Sequence, residues 1–338
     1  MRGARILSVG LVTLLVAAAC QAPRATSGGA AATGSAAASA APDFSGKTLN
    51  IVTGGTGGVY IVYGAGLADL LTKKLKVAAN AQSTPASVDN MKLIRDGKAD
   101  LAFTLSDTAY DAINGKGRFA PPEAKVDGKA IAVMYTNFMH IVAKDGAGIN
   151  TVADLKGKRV SIGAAGSGTE TKGIRVLEAY GLAPTDLQAQ RLGVQDSADA
   201  LRDGKIDAFF WDGGLPTGAV SDLANGTKLK FLDQTDGVAK MAQKYGTYYF
   251  AAKIPKGTYK NDADITVAGV ANLLVVPSSF DGALVKAILQ TMFDNQADLV
   301  TIHPEAKNLK LDTATVGSPI DFHPAAIEFY KSKGAWKQ

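Results

Sequence analysis

The feature that most constrains this chain is that it resembles itself. Ile94-Arg95-Asp96-Gly97-Lys98-Ala99-Asp100-Leu101-Ala102-Phe103 returns as Leu201-Arg202-Asp203-Gly204-Lys205-Ile206-Asp207-Ala208-Phe209-Phe210, an offset of about 107 to 110 residues. Each copy reads as the end of an amphipathic helix, a glycine stop beside a basic residue, and a short buried strand. A second pair precedes it. Leu49-Asn50-Ile51-Val52-Thr53 runs into Gly54-Gly55-Thr56-Gly57-Gly58, and Arg159-Val160-Ser161-Ile162 runs into Gly163-Ala164-Ala165-Gly166-Ser167-Gly168, with helices expected at Tyr60 to Lys74 and Thr169 to Tyr180. Each half therefore has the order strand, Gly loop, helix, strand, helix, turn, strand, which implies a mostly parallel sheet with right-handed crossovers. Ligands sit outside the carboxyl ends of such strands, where both Gly loops fall, so two lobes set face to face enclose a cleft between the loops.

Length agrees with two lobes, because 338 residues exceed the roughly 250 to 300 at which one core stops growing. With 46% apolar and 20% charged residues, collagen, bulk disorder and a multi-span membrane protein are excluded. Arg2 and Arg5 lie in an expected leader, and the remaining 34 Lys and Arg stand against 31 Asp and Glu, too even a balance to argue for nucleic acid. A single cysteine excludes an intramolecular disulfide and a thiolate zinc site. Residues 1–19 read as a signal peptide: a basic start, an uncharged stretch too short to span a bilayer, and Ala17-Ala18-Ala19 before Cys20. That ending resembles a bacterial lipoprotein signal, with Cys20 lipidated and residues 20–46 a flexible Ala/Gly/Ser linker. The protein is thus expected outside the cytoplasm, in the periplasm or at the outer cell surface, anchored to a membrane. Lobe 1 is placed at 47–138 and 252–338, and lobe 2 at 139–251.

A Gly-rich turn at a helix N-terminus presents backbone N–H groups and the positive end of the helix dipole, so it favours a carboxylate or phosphate without a lysine. Gly55, Thr56, Gly57, Gly58 and Tyr60 in the first loop, and Gly166, Ser167, Gly168 and Thr169 in the second, are the candidate ligand contacts. Neither loop has GxxxxGK[ST] or GxGxxG spacing, so nucleotide binding has no support. Ser167 and Glu170 also have the spacing of a capping box. Ser106 and Tyr110 emerge after one buried strand as possible donors, and Asp212 after its counterpart as a possible acceptor for an amino group. Ser106 and Asp107 read equally well as helix caps, and Trp211 as core. His140 falls in an interlobe strand, either touching ligand or serving as a structural imidazole. His303 and His323 precede prolines and have no partner at metal-ligand spacing. With no HExxH and no G-x-S-x-G, no catalytic residue, metal or cofactor is expected.

From Leu49 to about Tyr330 the chain resembles the TAXI receptors, solute-binding subunits of one class of TRAP transporters. The residues that carry the resemblance are Thr53 through Tyr60, Ser106-Asp107 with Tyr110, Asp111 through Gly117, His140, Asp154 through Val160, Gly166 through Glu170, Asp207 through Phe210, and Ile320 through Ala326. The resemblance implies a type II periplasmic-binding-protein fold, two α/β lobes joined by hinge strands and closing on a small carboxylate such as glutamate, 2-oxoglutarate or a related acid. It further implies TRAP membrane permease subunits as partners. Two other functions fit the same scaffold: a binding lipoprotein of an ABC importer for another small anion, such as a sulfonate, phosphonate or pyrimidine precursor, and an enzyme with its chemistry in the cleft.

Overall fold

The computed structural model describes residues 43–337, and the duplicated segments in it are two copies of one folding unit. In the first copy β1 (Thr48–Val52), α1 (Val59–Leu75), β2 (Ala78–Gln82), α2 (Ser87–Arg95) and β3 (Leu101–Leu105) follow in order, and β1 pairs in parallel with both β2 and β3. Helix α3 (Ser106–Asn114) continues directly from β3, and the long strand β4 (Gly128–Lys144) leaves the lobe. In the second copy β5 (Arg159–Ser161), α4 (Gly168–Ala179), β6 (Gln188–Gln190), α5 (Val194–Arg202) and β7 (Ala208–Gly213) repeat the order, with β5 parallel to β6 and β7. The lobe is completed by α6 (Gly218–Gly226), β8 (Leu229–Phe231), α7 (Thr235–Tyr245) and β9 (Phe250–Ile254). Strand β10 (Ile265–Pro277) returns, and α8 (Gly282–Asp294), α9 (Gln296–Ile302) and α10 (Pro324–Ser332) follow.

The helix stops are the same device twice. Gly97 and Gly204 take φ of +65° and +73°, a left-handed conformation that costs glycine nothing. The next amides, Lys98 and Lys205, then close back on the carbonyls of Leu93 and Ala200 at 2.9 Å each.

All ten strands join one sheet in the order β2-β1-β3-β10-β4-β7-β5-β6, with β8 on β4 and β9 on β10. Parallel pairing holds within each triad, whereas β10 is antiparallel to β3 and β4, and β4 is antiparallel to β7. The two crossing strands traverse the lobes in opposite directions, so their mutual pairing has to be antiparallel. One core gathers residues on either side of the crossings, among them Tyr63, Phe103, Ile131, Leu273 and Tyr330. The other lobe packs both faces of its sheet, with Ile141, Phe210 and Val270 on one and Val142, Phe209 and Val267 on the other. The return crossing therefore lies inside β10, between Val270 and Ala271, and not at 252. Strand β9 and the first half of β10 pair from Ile265–Ile254 to Gly269–Phe250 and stay with the second lobe.

In the tail, α8 and α9 are separated by Asn295, whose side-chain amide donates to the Thr291 carbonyl at 2.9 Å beside its own backbone N–H at 3.2 Å. This is the local competition that makes asparagine a poor helix-interior residue. Among the described residues no helix is long and apolar enough to cross a membrane. The expected signal peptide, Cys20 and most of the linker lie outside the described residues.

Candidate functional site

The two Gly loops face each other. Between them lies a cleft walled by Gly54, Gly55, Gly58 and Tyr60 from one lobe and by Gly163, Ala164, Ser167, Gly168 and Thr169 from the other. Two further loops complete it: Thr84 to Ser87 before α2, and Leu192 to Val194 before α5. Four helices thus begin at this cavity, α1 after Gly58, α2 after Ala86, α4 after Ser167 and α5 after Gly193. Each brings first-turn N–H groups without intrahelical partners and a partial positive charge. One of those starts is strained: Ala86 has φ +100°, a region that a side chain rarely enters.

Asp212, whose side chain is wholly buried, is the one charged residue among those that line the cavity. It stands at the end of β7, and behind it the fully buried Lys172 of α4 reaches its two oxygens at 3.1 and 3.0 Å. Burial, the leading cause, lifts the Asp212 carboxyl to about 6 against the opposing pull of Lys172. Tyr60 is held by Asn272, whose Nδ2 donates to the phenol oxygen at 2.6 Å. Leu105 and Trp211 supply apolar wall, and the Trp211 indole N–H is anchored on Thr217 Oγ1 at 2.8 Å.

The lobes meet around the cavity. The Ala219 amide donates to the Gly57 carbonyl at 3.3 Å, and the Asp89 amide to the Gly166 carbonyl at 3.2 Å. Arg118 of the first lobe pairs at 3.0 Å with Glu170 of α4, and Arg175 of α4 pairs with Asp111 of α3 and lies 3.6 Å from Asp107. The approach is so close that a Cβ on Gly168 would stand 2.8 Å from Ser87 Oγ and closer still to Leu105.

Of the residues singled out from sequence, Gly55, Gly58, Tyr60, Ser167, Gly168, Thr169 and Asp212 line the cavity. Gly57 and Gly166 instead form the interlobe backbone bonds just described, and Thr56 is exposed beside them. Tyr110 packs on Tyr248 with ring centroids 5.3 Å apart, away from the cavity. Ser106 is wholly buried, behind the wall rather than on it. His140 is wholly buried as well, with Nδ1 against the Phe138 and Trp211 carbonyls at 2.7 and 3.2 Å and Nε2 at 3.0 Å from the Tyr259 hydroxyl. Its side chain points into the second lobe's core, which is why an interlobe position did not make it a wall. Ser167 does cap α4, accepting from the Glu170 amide at 3.0 Å, and Glu170 turns back to the Gly166 amide at 3.2 Å.

Ala86, Ser87, Gly193 and Val194 were missed although the repeat contained them: they are the second strand-to-helix turn of each copy, at matching offset, without the glycine run that marks the first. Trp211 was missed because an aromatic at a strand end looks like core. Among the described residues no group of three or more His, Cys, Asp or Glu is placed to hold a metal.

Two lobes, each with parallel strands whose carboxyl ends face a shared cavity, and two strands crossing between them, define the two-lobed α/β periplasmic-binding-protein fold. A structure from Bordetella bronchiseptica RB50 superposes with a TM-score of 0.51 at 16% identity, covering 86% of this chain and 89% of that one. The periplasmic aliphatic sulphonate binding protein of Escherichia coli gives 0.46 at 19% identity, covering 85% and 84%. The chain belongs to the NMT1-like family, which matches residues 51–334. A putative aliphatic sulfonates-binding protein of Escherichia coli (strain K12) is 29% identical over 184 residues, 53% of this chain and 46% of that protein, so the match spans about half of that relative's length. These findings correct the TAXI assignment. The Gly loops among the residues on which it rested are helix starts required by the fold, so they do not separate one family of binders on this fold from another.

Proposed function

We propose that this protein is the solute-binding component of an ABC-type importer and captures a small organic anion between its lobes. The observation that carries this is the convergence of four helix N-termini on one interlobe cavity whose walls hold no cationic side chain. In such a site backbone N–H groups and helix dipoles neutralise the anion, and the surrounding apolar surface strengthens them by excluding water. Contacts from both lobes let the ligand favour the closed arrangement, which is the signal a membrane partner reads. The name of the sequence relative, a putative aliphatic sulfonates-binding protein, points the same way. On this reading the chain is a binder and not a catalyst, and it works outside the cytoplasm, with Cys20 as its lipid anchor. The test is titration calorimetry of the purified protein against alkanesulfonates, alkylphosphonates and short carboxylates. Saturable heat and a rise in melting temperature with at least one class are expected; silence from all three rejects an anion site.

A further inference from the structure

We propose that Glu305, in the tail of the first lobe, is a positioning residue for the ligand cavity: it clamps the 214–217 loop of the second lobe and through that loop fixes the Trp211 wall. This rests on the anion site proposed above. The short turn Pro304–Asn308 belongs to the first lobe, where Ala306 and the following Leu309 are buried in the core. The 214–217 loop leads from β7 into α6, and its Leu215 packs on the core of the second lobe.

Two hydrogen bonds cross from turn to loop. The Leu215 amide donates to Glu305 Oε1, and Nε2 of His303 meets the Pro216 carbonyl at 3.2 Å. A carbonyl only accepts, so Nε2 carries the proton, and Nδ1 accepts from the Glu305 amide at 3.1 Å. Packing is as tight as the bonding, because a Cβ on Gly214 would stand 2.8 Å from Glu305 Cγ. From the loop the contacts continue to the cavity. The wholly buried Thr217 hydroxyl accepts the Trp211 indole N–H at 2.8 Å and donates to the Gly214 carbonyl at 2.8 Å. The indole in turn reaches the Gly loop of the first lobe, so close that a Cβ on Gly58 would lie 3.0 Å from its ring. Trp211 and Gly58 both line the cavity. A shift of the loop therefore moves Thr217 and, with it, the ring that walls this side.

Charge sets Glu305 apart. Among the described residues five carboxylates are buried. Asp107 and Asp111 have Arg175, Glu170 has Arg118 and Arg191, and Asp212 has Lys172. Glu305, at 3% exposure, has no cation within ion-pair distance among the described residues; its donors are the Leu215 amide and the Asn308 side chain. A buried charge without a counter-ion opposes folding unless hydrogen bonds compensate it, and one of these two comes from the other lobe. Burial raises the Glu305 pKa above its ordinary value, and the Leu215 amide pulls it the other way.

The experiment uses a Trp336→Phe background, which leaves Trp211 as the sole tryptophan. In the ligand-free protein Glu305→Ala is expected to shift the Trp211 emission to the red and to make it more easily quenched by acrylamide, because the ring gains access to water. Glu305→Gln, whose carbonyl still accepts from Leu215, should match the parent. Calorimetry with ethanesulfonate, ethylphosphonate and propionate reads affinity. For each anion that binds the parent, Glu305→Ala should weaken binding about tenfold and Glu305→Gln by less than roughly threefold. Met292→Ala, a cavity made on α8 in the core of the first lobe, is the control: its melting temperature falls while emission and affinity stay with the parent. Should Glu305→Ala fail to fold, Gly214→Ala replaces it, since its methyl pushes the loop off Glu305 and the same red shift is expected. Unchanged emission, or an equal change in Met292→Ala, overturns the proposal. A red shift with affinity intact overturns the part given to Glu305 in binding. If no anion binds, the anion site falls, and the emission of Glu305→Ala still decides whether this residue sets the Trp211 wall.

Discussion

At the scale of a residue, His140 shows how a polar side chain can be conspicuous in sequence yet have only a structural role. Its Nδ1 meets two carbonyls, so it must carry the proton, and Nε2 then accepts from the Tyr259 hydroxyl, whose oxygen takes the Thr217 amide at 2.8 Å. The neutral ring is satisfied on both sides, and burial pushes its pKa down to about 4. Between pH 6.5 and 4 the unfolded chain binds a proton here that the folded chain refuses, so this stabilising contribution is full above 6.5 and is lost as the pH falls towards 4. In His140→Gln that part of the acid sensitivity disappears. Denaturant unfolding at pH 7 and pH 4 should show the wild type losing on the order of 3 kcal/mol more than the variant. Parallel profiles would show that His140 titrates normally.

At the scale of an element, α4 joins the two things the second Gly loop has to do. Ser167 caps it, and glycine at its first position lets the opposite lobe approach. Gly168→Ala places a methyl against Leu105 and Ser87, so closure is blocked while the lobe itself stays folded. We expect ligand affinity, measured calorimetrically, to fall at least tenfold, about 1.4 kcal/mol, with a melting temperature near that of the wild type. Gly97→Ala is the contrast: open space surrounds it, but its φ of +65° strains any side chain, so it should lose about 1 kcal/mol of stability and leave affinity unchanged. If both variants bind ligand equally well, the approach of the lobes at Gly168 is not part of binding.

At the scale of the whole molecule, closure is held by ionic contacts that neither lobe satisfies alone. Arg175 of α4 is buried among Asp111 and Asp107 of α3 and the Tyr249 hydroxyl at 3.0 Å, with the Tyr245 ring 4.6 Å from its guanidinium. Breaking a buried pair by removing one partner typically costs about 3 to 5 kcal/mol, because a charge is left behind without compensation. Here the molecule has a cheaper response, which is to open and let water reach the arginine. Asp111→Asn is therefore expected to enlarge the radius of gyration in solution scattering and to weaken ligand binding, with each lobe still folded by circular dichroism. Scattering that matches the wild type would show that this cluster does not hold the lobes together.

The sequence by itself determined the duplicated folding unit, the Gly loops that begin α1 and α4, the turns at Gly97 and Gly204, and the interlobe course of β4. Local rules write these features: periodicity, glycine where φ is positive, and capping spacing within a few residues. Tertiary structure alone decided that α2 and α5 also start at the cavity, that Gly57 and Gly166 tie the lobes while Gly58 and Gly168 wall the site, that Tyr110 and His140 turn away, and that Lys172 stands behind Asp212. Each of those depends on which way a side chain or carbonyl points once two lobes meet, across 40 residues of chain between Lys172 and Asp212 and 64 between Asp111 and Arg175. Contacts formed at that separation leave no periodic trace in the order of the residues.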